Sequence, residues 1–210
     1  MKNASTTKNK KLKQLVFPLL FGVVLPQLTA ATIVNFSNFK YSLPVLYVLS
    51  ALFLLGTVKY CLSNGYLSHF SLKKVFKGIM GGVLMLGFGL VFSLLASKVG
   101  VDAPDGLADI YKHMNIMFLF LTLFGPIWEE VIFRGIINDR FFGNSPFGIV
   151  ISSILFSLYH GIFSLFLVLY FGAGVIFSLA NRNEDDITAS IVAHIFYNTG
   201  IVVLGLVMGG

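Results

Sequence analysis

The chain alternates between long apolar runs and short polar stretches, a pattern typical of proteins with several membrane-spanning helices. Because a backbone in lipid must satisfy its own hydrogen bonds, each run is predicted to be a helix. The shortest runs are the second, with 16 residues, and the fifth, with 14. Seven runs are long enough, or nearly so, to cross a hydrocarbon core about 30 Å thick: 15–34, 43–58, 78–97, 115–137, 147–160, 163–180 and 187–208. The predicted fold class is an all-α polytopic membrane bundle of about seven helices.

Composition supports this interpretation. Of the 210 residues, 56% are hydrophobic and 11% are charged, and a soluble domain of that size could not cover its surface with polar groups. The single cysteine, Cys61, excludes an intrachain disulfide and makes a cysteine-based metal site an unattractive prediction. The net charge is +6, but the basic residues lie between apolar runs rather than on one face. They therefore indicate topology and not a nucleic-acid partner.

Basic residues also predict the orientation. With the N-terminus inside, 12 of the 15 Lys and Arg residues fall on the cytosolic side, and the other three are Lys40, Lys98 and Lys112. The positive-inside rule therefore predicts a cytosolic N-terminus. The NRNEDD stretch at 181–186 is then a solvated cytosolic turn, with acids that suit the dipole of the following helix.

This topology divides the chain into four parts. Residues 1–14 are a basic cytosolic segment, 15–98 the N-terminal transmembrane helices, 99–114 an extracytosolic loop, and 115–210 a core that carries the intramembrane polar residues. The start of the chain also resembles a signal peptide ending at TAA, residues 29–31. Its cleavage would remove the first span and leave the orientation of the others unchanged.

Ionisable side chains cluster in the fourth run, in PIWEEVIFRG at 126–135. Each costs roughly 2.5–3.5 kcal/mol at membrane depth, so each is a functional candidate. Glu130 and Arg134 are four residues apart and can pair on one helix face. Glu129 points about 100° away from Glu130 and is left to face something else. Pro126 removes a helical hydrogen bond just before the glutamates. The alternative is that the three charges form a buried packing network between helices.

Two later runs supply neutral polar groups. The fifth ends in FSLYH, with Phe156 and His160 four residues apart, and the seventh contains HIFYN, with His194 and Asn198 four apart. Donors on one helix face can stabilise an oxyanion in acyl transfer. The alternative for each is an ordinary hydrogen bond between membrane helices.

If these side chains form one site, they should lie at the same depth in the membrane. The depth of each follows from its distance along the helix, at a rise of about 1.5 Å per residue. From the predicted cytosolic helix ends, Glu129 lies about 13 Å deep and His194 about 10 Å deep. His160 comes out deeper, at about 20 Å, and does not match the other two.

The order Glu129-Glu130-x-x-x-Arg134, Phe156-x-x-x-His160 and His194-x-x-x-Asn198 on separate helices resembles the CPBP family. These are the Abi or type II CAAX-prenyl-endopeptidase-like intramembrane proteases. A fainter family element, Phe-x-x-Gly, is present at Phe171 and Gly174. The resemblance covers roughly residues 115–205.

The resemblance implies roles for these residues. Glu129 and His160 would activate a water for attack on a peptide carbonyl, His194 and Asn198 would stabilise the oxyanion, and Glu130 and Arg134 would support the site. A zinc ion held by Glu129, His160 and His194 is the alternative. Neither HExxH nor a second-shell carboxylate is visible in the sequence, so a mechanism without a cofactor is favoured.

The favoured function is an intramembrane endopeptidase whose partners are a peptide or membrane-protein substrate and the lipid bilayer, with no nucleic acid. Its location would be a cell membrane, as a multi-pass protein of a bacterial plasma membrane. The chain is shorter than eukaryotic prenyl endopeptidases by about one span, so a prenylated CAAX substrate does not follow from the resemblance. Two other hypotheses are a non-catalytic immunity or regulatory scaffold of the same family, including bacteriocin immunity, and a small transporter with a proton relay. The oligomeric state is left open.

Overall fold

The computed structural model describes residues 42–68, 70–101, 120–161 and 165–208, and within these ranges the secondary structure is entirely helical. This confirms the predicted fold class. The predicted first span, 15–34, and nearly all of the predicted loop 99–114 lie outside the described residues. The helices are α1 (Ser42–Ser63), α2 (Leu72–Lys98), α3 (residues 120–141), α4 (Pro146–His160), α5 (Phe166–Ala180) and α6 (Thr188–Met208).

Two of the described helical segments, Leu72–Lys98 and Thr188–Gly205, are long and apolar enough to cross a membrane. The outward face of α2 carries large apolar side chains, including Leu84, Leu90 and Leu94, which are 59–63% exposed. Contiguous exposed apolar surface is unfavourable in water and natural against lipid acyl chains. The outer face of α2 is therefore suited to contact lipid.

Helix α3 changes its pitch twice. It consists of a π-helix (Phe120–Phe124), a short α-helix (Gly125–Glu130) and a second π-helix (Val131–Phe141). Pro126 lies in the first turn of the central α-helix, where its missing N–H disrupts the ladder least. π-Helical segments are rare and frequently occur at functional sites. Both glutamates lie just before the second change of pitch.

Helices α2 and α6 approach closely along small residues of α2. A Cβ added to Gly78 would lie 2.5 Å from Val192 Cβ, and one added to Gly82 would lie 2.9 Å from Phe196 Cβ. The four-residue spacing is the small-xxx-small pattern that lets membrane helices pack backbone to backbone. This packing holds α6, and His194 with it, against the N-terminal helices.

Helix α2 begins six residues earlier than the predicted span 78–97, because its lysines are paired within the protein. Lys74 is 7% exposed and bonds Asp185 and Asp186 of the α5–α6 loop, with 2.8 Å from Nζ to Asp186 Oδ2. Lys77 pairs with Glu184 of the same loop. We call these five residues the cytosolic ion cluster, after the side on which the predicted topology places them.

The cluster corrects the interpretation of NRNEDD as a solvated turn. Asp186 is 5% exposed, and it accepts hydrogen bonds from Ser68 N at 2.8 Å and Thr188 N at 2.9 Å. The bond from Thr188 N satisfies a backbone donor in the first turn of α6, as a helix-capping carboxylate does. The expected favourable placement of acid near the start of α6 is confirmed, but this acid is buried.

Candidate active site

Glu129 lies between two histidines from different helices. Its Oε2 atom is 3.5 Å from Nε2 of His160 on α4 and 3.8 Å from Nε2 of His194 on α6. The Glu129 side chain is 15% exposed, and Oε2 has no hydrogen-bond partner within the described residues. The structure thus brings together the three side chains that the sequence singled out from three separate apolar runs.

His160 is the last residue of α4. Its Nδ1 donates to the carbonyl oxygen of Phe156, one turn earlier, at 2.9 Å. The contact with Glu129 puts His160 at the same depth as the other site residues, so the predicted depth mismatch is wrong. Helix α4 begins at Pro146, one residue before the predicted fifth run, while α3 continues to Phe141, four residues beyond the predicted fourth run.

His194 is held by the second glutamate. Its Nδ1 lies 2.8 Å from Glu130 Oε1, and the side chains of both residues are at least 95% buried. The sequence showed no carboxylate supporting a histidine, and Glu130 is such a carboxylate. The 64-residue separation hides the contact, because nothing local in the sequence links the two positions.

Arg134 completes the centre. Its NH1 donates to Glu130 Oε1 at 3.0 Å, which confirms the predicted pairing on α3. Its NH2 donates to the Gly174 carbonyl at 3.2 Å, and the guanidinium lies 4.5 Å from the centroid of the Phe156 ring. Charge pairing, a backbone acceptor and an aromatic face together offset part of the cost of burying the arginine.

Gly174, from the faint Phe-x-x-Gly element, has a packing role. A Cβ at this position would lie 2.7 Å from the Ser153 Cα, so only glycine lets α5 approach α4 this closely. That approach is what brings the Gly174 carbonyl to Arg134. The element therefore supports the charged centre without supplying a polar side chain.

The hydrogen bonds determine which ring nitrogens can accept a proton. The Phe156 carbonyl and an ionised Glu130 carboxylate can only accept, so both histidines donate from Nδ1. In a neutral imidazole the lone pair is then on Nε2, the atom that faces Glu129. Three acceptors converge, and a water between them could donate to two of them at once.

Glu129, His160 and His194 have the donor chemistry that zinc takes, and the Nδ1 partners resemble the outer contacts of zinc-bound histidines. Among the described residues, however, no group of three or more His, Cys, Asp or Glu side chains is arranged to hold a metal ion. No step proposed below passes through a metal ion.

The remaining site predictions are placed only in part. Asn198 lies one turn beyond His194 on α6 and is half-buried, so the two share a helix face as predicted. Its role stays a prediction. Trp128 points away from the glutamates and donates from Nε1 to Thr57 Oγ1 on α1 at 3.1 Å. It fixes α1 to α3 and does not line the site.

Comparison with known proteins identifies the family of the chain. Residues 112–200 match the family model "Type II CAAX prenyl endopeptidase Rce1-like". Membrane-embedded CAAX protease MroQ of Staphylococcus aureus (strain USA300) is 30% identical over 213 residues, spanning 90% of this chain and 83% of that protein. The chain therefore belongs to the CPBP family of CAAX-protease-like membrane peptidases.

Two other relatives are more distant. YdiL of Bacillus subtilis (strain 168), whose name describes a membrane peptidase, is 28% identical over 134 residues, or 62% of this chain and 51% of that protein. The UPF0177 protein YxdF of Lactococcus lactis subsp. lactis (strain IL1403) is 26% identical over 134 residues, or 61% of this chain and 75% of that protein. No solved structure is significantly similar to the chain.

Proposed function

We propose that the protein is an intramembrane endopeptidase that hydrolyses a peptide bond of a membrane-associated protein or peptide, using a water activated by Glu129 and His160. The observation that carries the proposal is the convergence of Glu129 Oε2 with Nε2 of His160 at 3.5 Å and of His194 at 3.8 Å. An acceptor that has no hydrogen-bond partner among the described residues, flanked by two further acceptors, is suited to bind and deprotonate a water.

In the proposed reaction, Glu129 takes a proton from the water as its oxygen bonds to the peptide carbonyl carbon. His160 Nε2 accepts a hydrogen bond from the same water and orients it. The carbonyl double bond becomes a single bond to an oxyanion. When the C–N bond breaks, the proton held by Glu129 passes to the leaving nitrogen, and a carboxylic acid and an amine result.

His194 and Asn198 are proposed to stabilise the oxyanion. Because His194 Nδ1 already donates to Glu130, its Nε2 can donate to the oxyanion only after the ring takes up a second proton from solvent, which it returns when the product leaves. The Glu130 carboxylate, 2.8 Å from Nδ1, stabilises that cation, since Glu129 is neutral once it has taken the proton of the water. Glu130 thereby has a defined task, which is to orient His194 and balance its charge, while Arg134 holds Glu130 in place.

The protein is further proposed to be a multi-pass protein of a bacterial plasma membrane with a cytosolic N-terminus. The apolar helices and the distribution of basic residues support this. The substrate would reach the site near the cytosolic face. That MroQ is named a CAAX protease supports the chemistry, and the substrate of this chain is proposed only as a membrane-associated peptide or protein.

The test compares membrane peptides from cells that produce the wild type, Glu129→Gln or His160→Ala. We expect both variants to accumulate in the membrane and to lose the same cleavage product, identified by mass spectrometry of new peptide termini. Full retention of that product in both variants would refute the protease proposal and favour the non-catalytic scaffold.

Chelation tests the proposal that no cofactor takes part. The purified wild type, assayed on a peptide spanning the identified cleavage site, should keep its activity in the presence of a chelator. Loss of activity that added zinc restores would overturn the metal-free mechanism while leaving the protease proposal intact.

A further inference from the structure

Helix α5 carries no charged residue and no histidine, yet one of its faces contacts three polar residues of the site. Tyr170, Gly174 and Phe177 are spaced by four and three residues, which aligns them on one stripe. Tyr170 contacts His160, the Gly174 carbonyl accepts from Arg134, and Phe177 contacts His194.

Tyr170 and Phe156 enclose the His160 ring. The Tyr170 ring stacks on it, with centroids 4.4 Å apart and planes at 21°, and the Phe156 ring lies 4.4 Å away at 49°. The hydrogen bond from Nδ1 to the Phe156 carbonyl fixes one ring atom, but a single bond leaves the ring free to tilt about it. The two aromatic faces set the plane, and the plane sets where Nε2 points.

Phe177 does the same for His194. Its ring is fully buried and stacks on the imidazole, with centroids 4.7 Å apart and planes at 25°. The same ring lies 5.5 Å from the Arg134 guanidinium carbon. Phe177 therefore sits against the two side chains that bond Glu130.

We propose that Tyr170 and Phe177 are positioning residues of the peptidase, which set the planes of His160 and His194 so that both Nε2 atoms face Glu129. This rests on the proposed function. Stacked rings also attract an imidazolium through their π-faces, so they favour whichever histidine becomes protonated during turnover. A misplacement of a catalytic group by about 1 Å can lower the rate about 100-fold. The orientation of the two histidine rings should therefore have a large effect on activity.

The variants Tyr170→Leu and Tyr170→Phe separate the ring from its hydroxyl. On the cleavage-site peptide defined above, Tyr170→Leu should lower kcat at least about 10-fold with little change in KM, while Tyr170→Phe should stay close to wild type. Phe177→Leu should behave like Tyr170→Leu. The matched control is Phe166→Leu, which removes a ring of α5 that packs 5.5 Å from Phe92 and should leave kcat unchanged.

A second readout needs no substrate. In protein labelled with ¹⁵N-histidine, the wild-type His160 ring should show a protonated Nδ1 and an unprotonated Nε2. In Tyr170→Leu the ring should sample several orientations and both neutral tautomers, so the two ¹⁵N resonances should move toward each other. Tyr170→Phe and Phe166→Leu should preserve the wild-type resonances. Because Tyr170 is only half-buried, its leucine variant carries the test even if Phe177→Leu fails to accumulate.

The two proposals fail in different ways. Wild-type kcat and an unchanged His160 spectrum in Tyr170→Leu, with Glu129→Gln inactive, would overturn the positioning proposal alone. Full activity of Glu129→Gln would instead refute the peptidase mechanism on which it rests. An equal loss of kcat in Phe166→Leu and Tyr170→Leu would show that α5 matters only for general packing.

Discussion

The cytosolic ion cluster and the candidate active site both bury charges between distant helices, but they satisfy them differently. In the cluster, Asp186 receives bonds from Lys74, Ser68 N and Thr188 N, and none of the five clustered side chains has a buried atom without a partner. In the site, Glu129 Oε2, Glu130 Oε2 and Arg134 Nε have no hydrogen-bond partner within the described residues.

This difference indicates what each region is for. A satisfied buried network costs little beyond its own desolvation and fixes the relative positions of the helices it joins. An acceptor left without a protein donor is costly in a purely structural network, and it is useful where a water or substrate must bind. The number of hydrogen bonds that a buried charged residue leaves unmade therefore indicates whether the residue serves packing or chemistry.

The largest expected effect on turnover and stability together is that of Glu130→Gln, because Glu130 links the structural and chemical parts of the site. Removing its charge weakens the support of His194 and leaves Arg134 buried without an ionic partner. We expect turnover to fall about 10–100-fold and the free energy of unfolding to fall by about 3 kcal/mol. Turnover of the cleavage-site peptide and denaturant unfolding in detergent measure the two losses. Unchanged stability would show that Arg134 does not depend on Glu130.

Lys74→Met should affect stability only. It leaves the buried Asp186 carboxylate without its ammonium partner, which we expect to cost about 3 kcal/mol of unfolding free energy at neutral pH. Turnover per folded molecule should be unchanged, since the cluster donates nothing to the site. The matched control is Lys77→Met: this lysine side chain is 35% exposed and that of its partner Glu184 is 9% exposed, so its loss should cost less than the loss of Lys74. Equal costs for the two variants would contradict the assigned difference in burial.

The smallest predicted effect is an acid sensitivity of the cluster. Burial raises the pKa of Asp186, but hydrogen bonds from Lys74, Ser68 and Thr188 outweigh it and lower the pKa to about 2. A carboxyl with a depressed folded-state pKa adds stability that is fully present above its unfolded value, near 4, and is lost as pH falls toward 2. The loss should be about 1–2 kcal/mol over that window.

The pH prediction is tested by unfolding wild type and Asp186→Asn in detergent between pH 5 and pH 2. The wild type should lose stability more steeply, and the difference between the two proteins should shrink as the pH falls. Parallel curves would show that Asp186 does not contribute to the acid sensitivity.

The sequence predicts the parts of the fold that depend on local pattern. Apolar runs locate the helices, and the four-residue spacing of Glu130 and Arg134 predicts their ion pair. It also predicts that Glu129 points away from the Glu130–Arg134 pair, and Glu129 does contact His160, although both glutamates also contact His194. Gly78 and Gly82 in α2 are a further local signal, which was not among the predictions above; their spacing indicates close packing of α2 but does not identify α6 as the partner.

Contacts between distant residues could not be predicted in this way. Lys74 and Asp186 are 112 residues apart, and each looks solvated within its own charged stretch. Glu130 and His194 are 64 residues apart, so the carboxylate that supports the histidine is hidden. Tyr170 and Phe177 lie in an apolar run, where an aromatic ring looks like ordinary core or lipid contact. Only the packed helices show which face meets a histidine.

The central claim is that Glu129 Oε2, which has no hydrogen-bond partner among the residues that the structure describes, serves chemistry and not packing. The most direct test measures turnover and unfolding midpoint on one preparation of purified Glu129→Gln. We predict that turnover falls at least about 100-fold while the unfolding midpoint stays the same or rises, since an unpaired buried charge is removed. Wild-type turnover, or a loss of turnover matched by a fall in the unfolding midpoint, would contradict the claim.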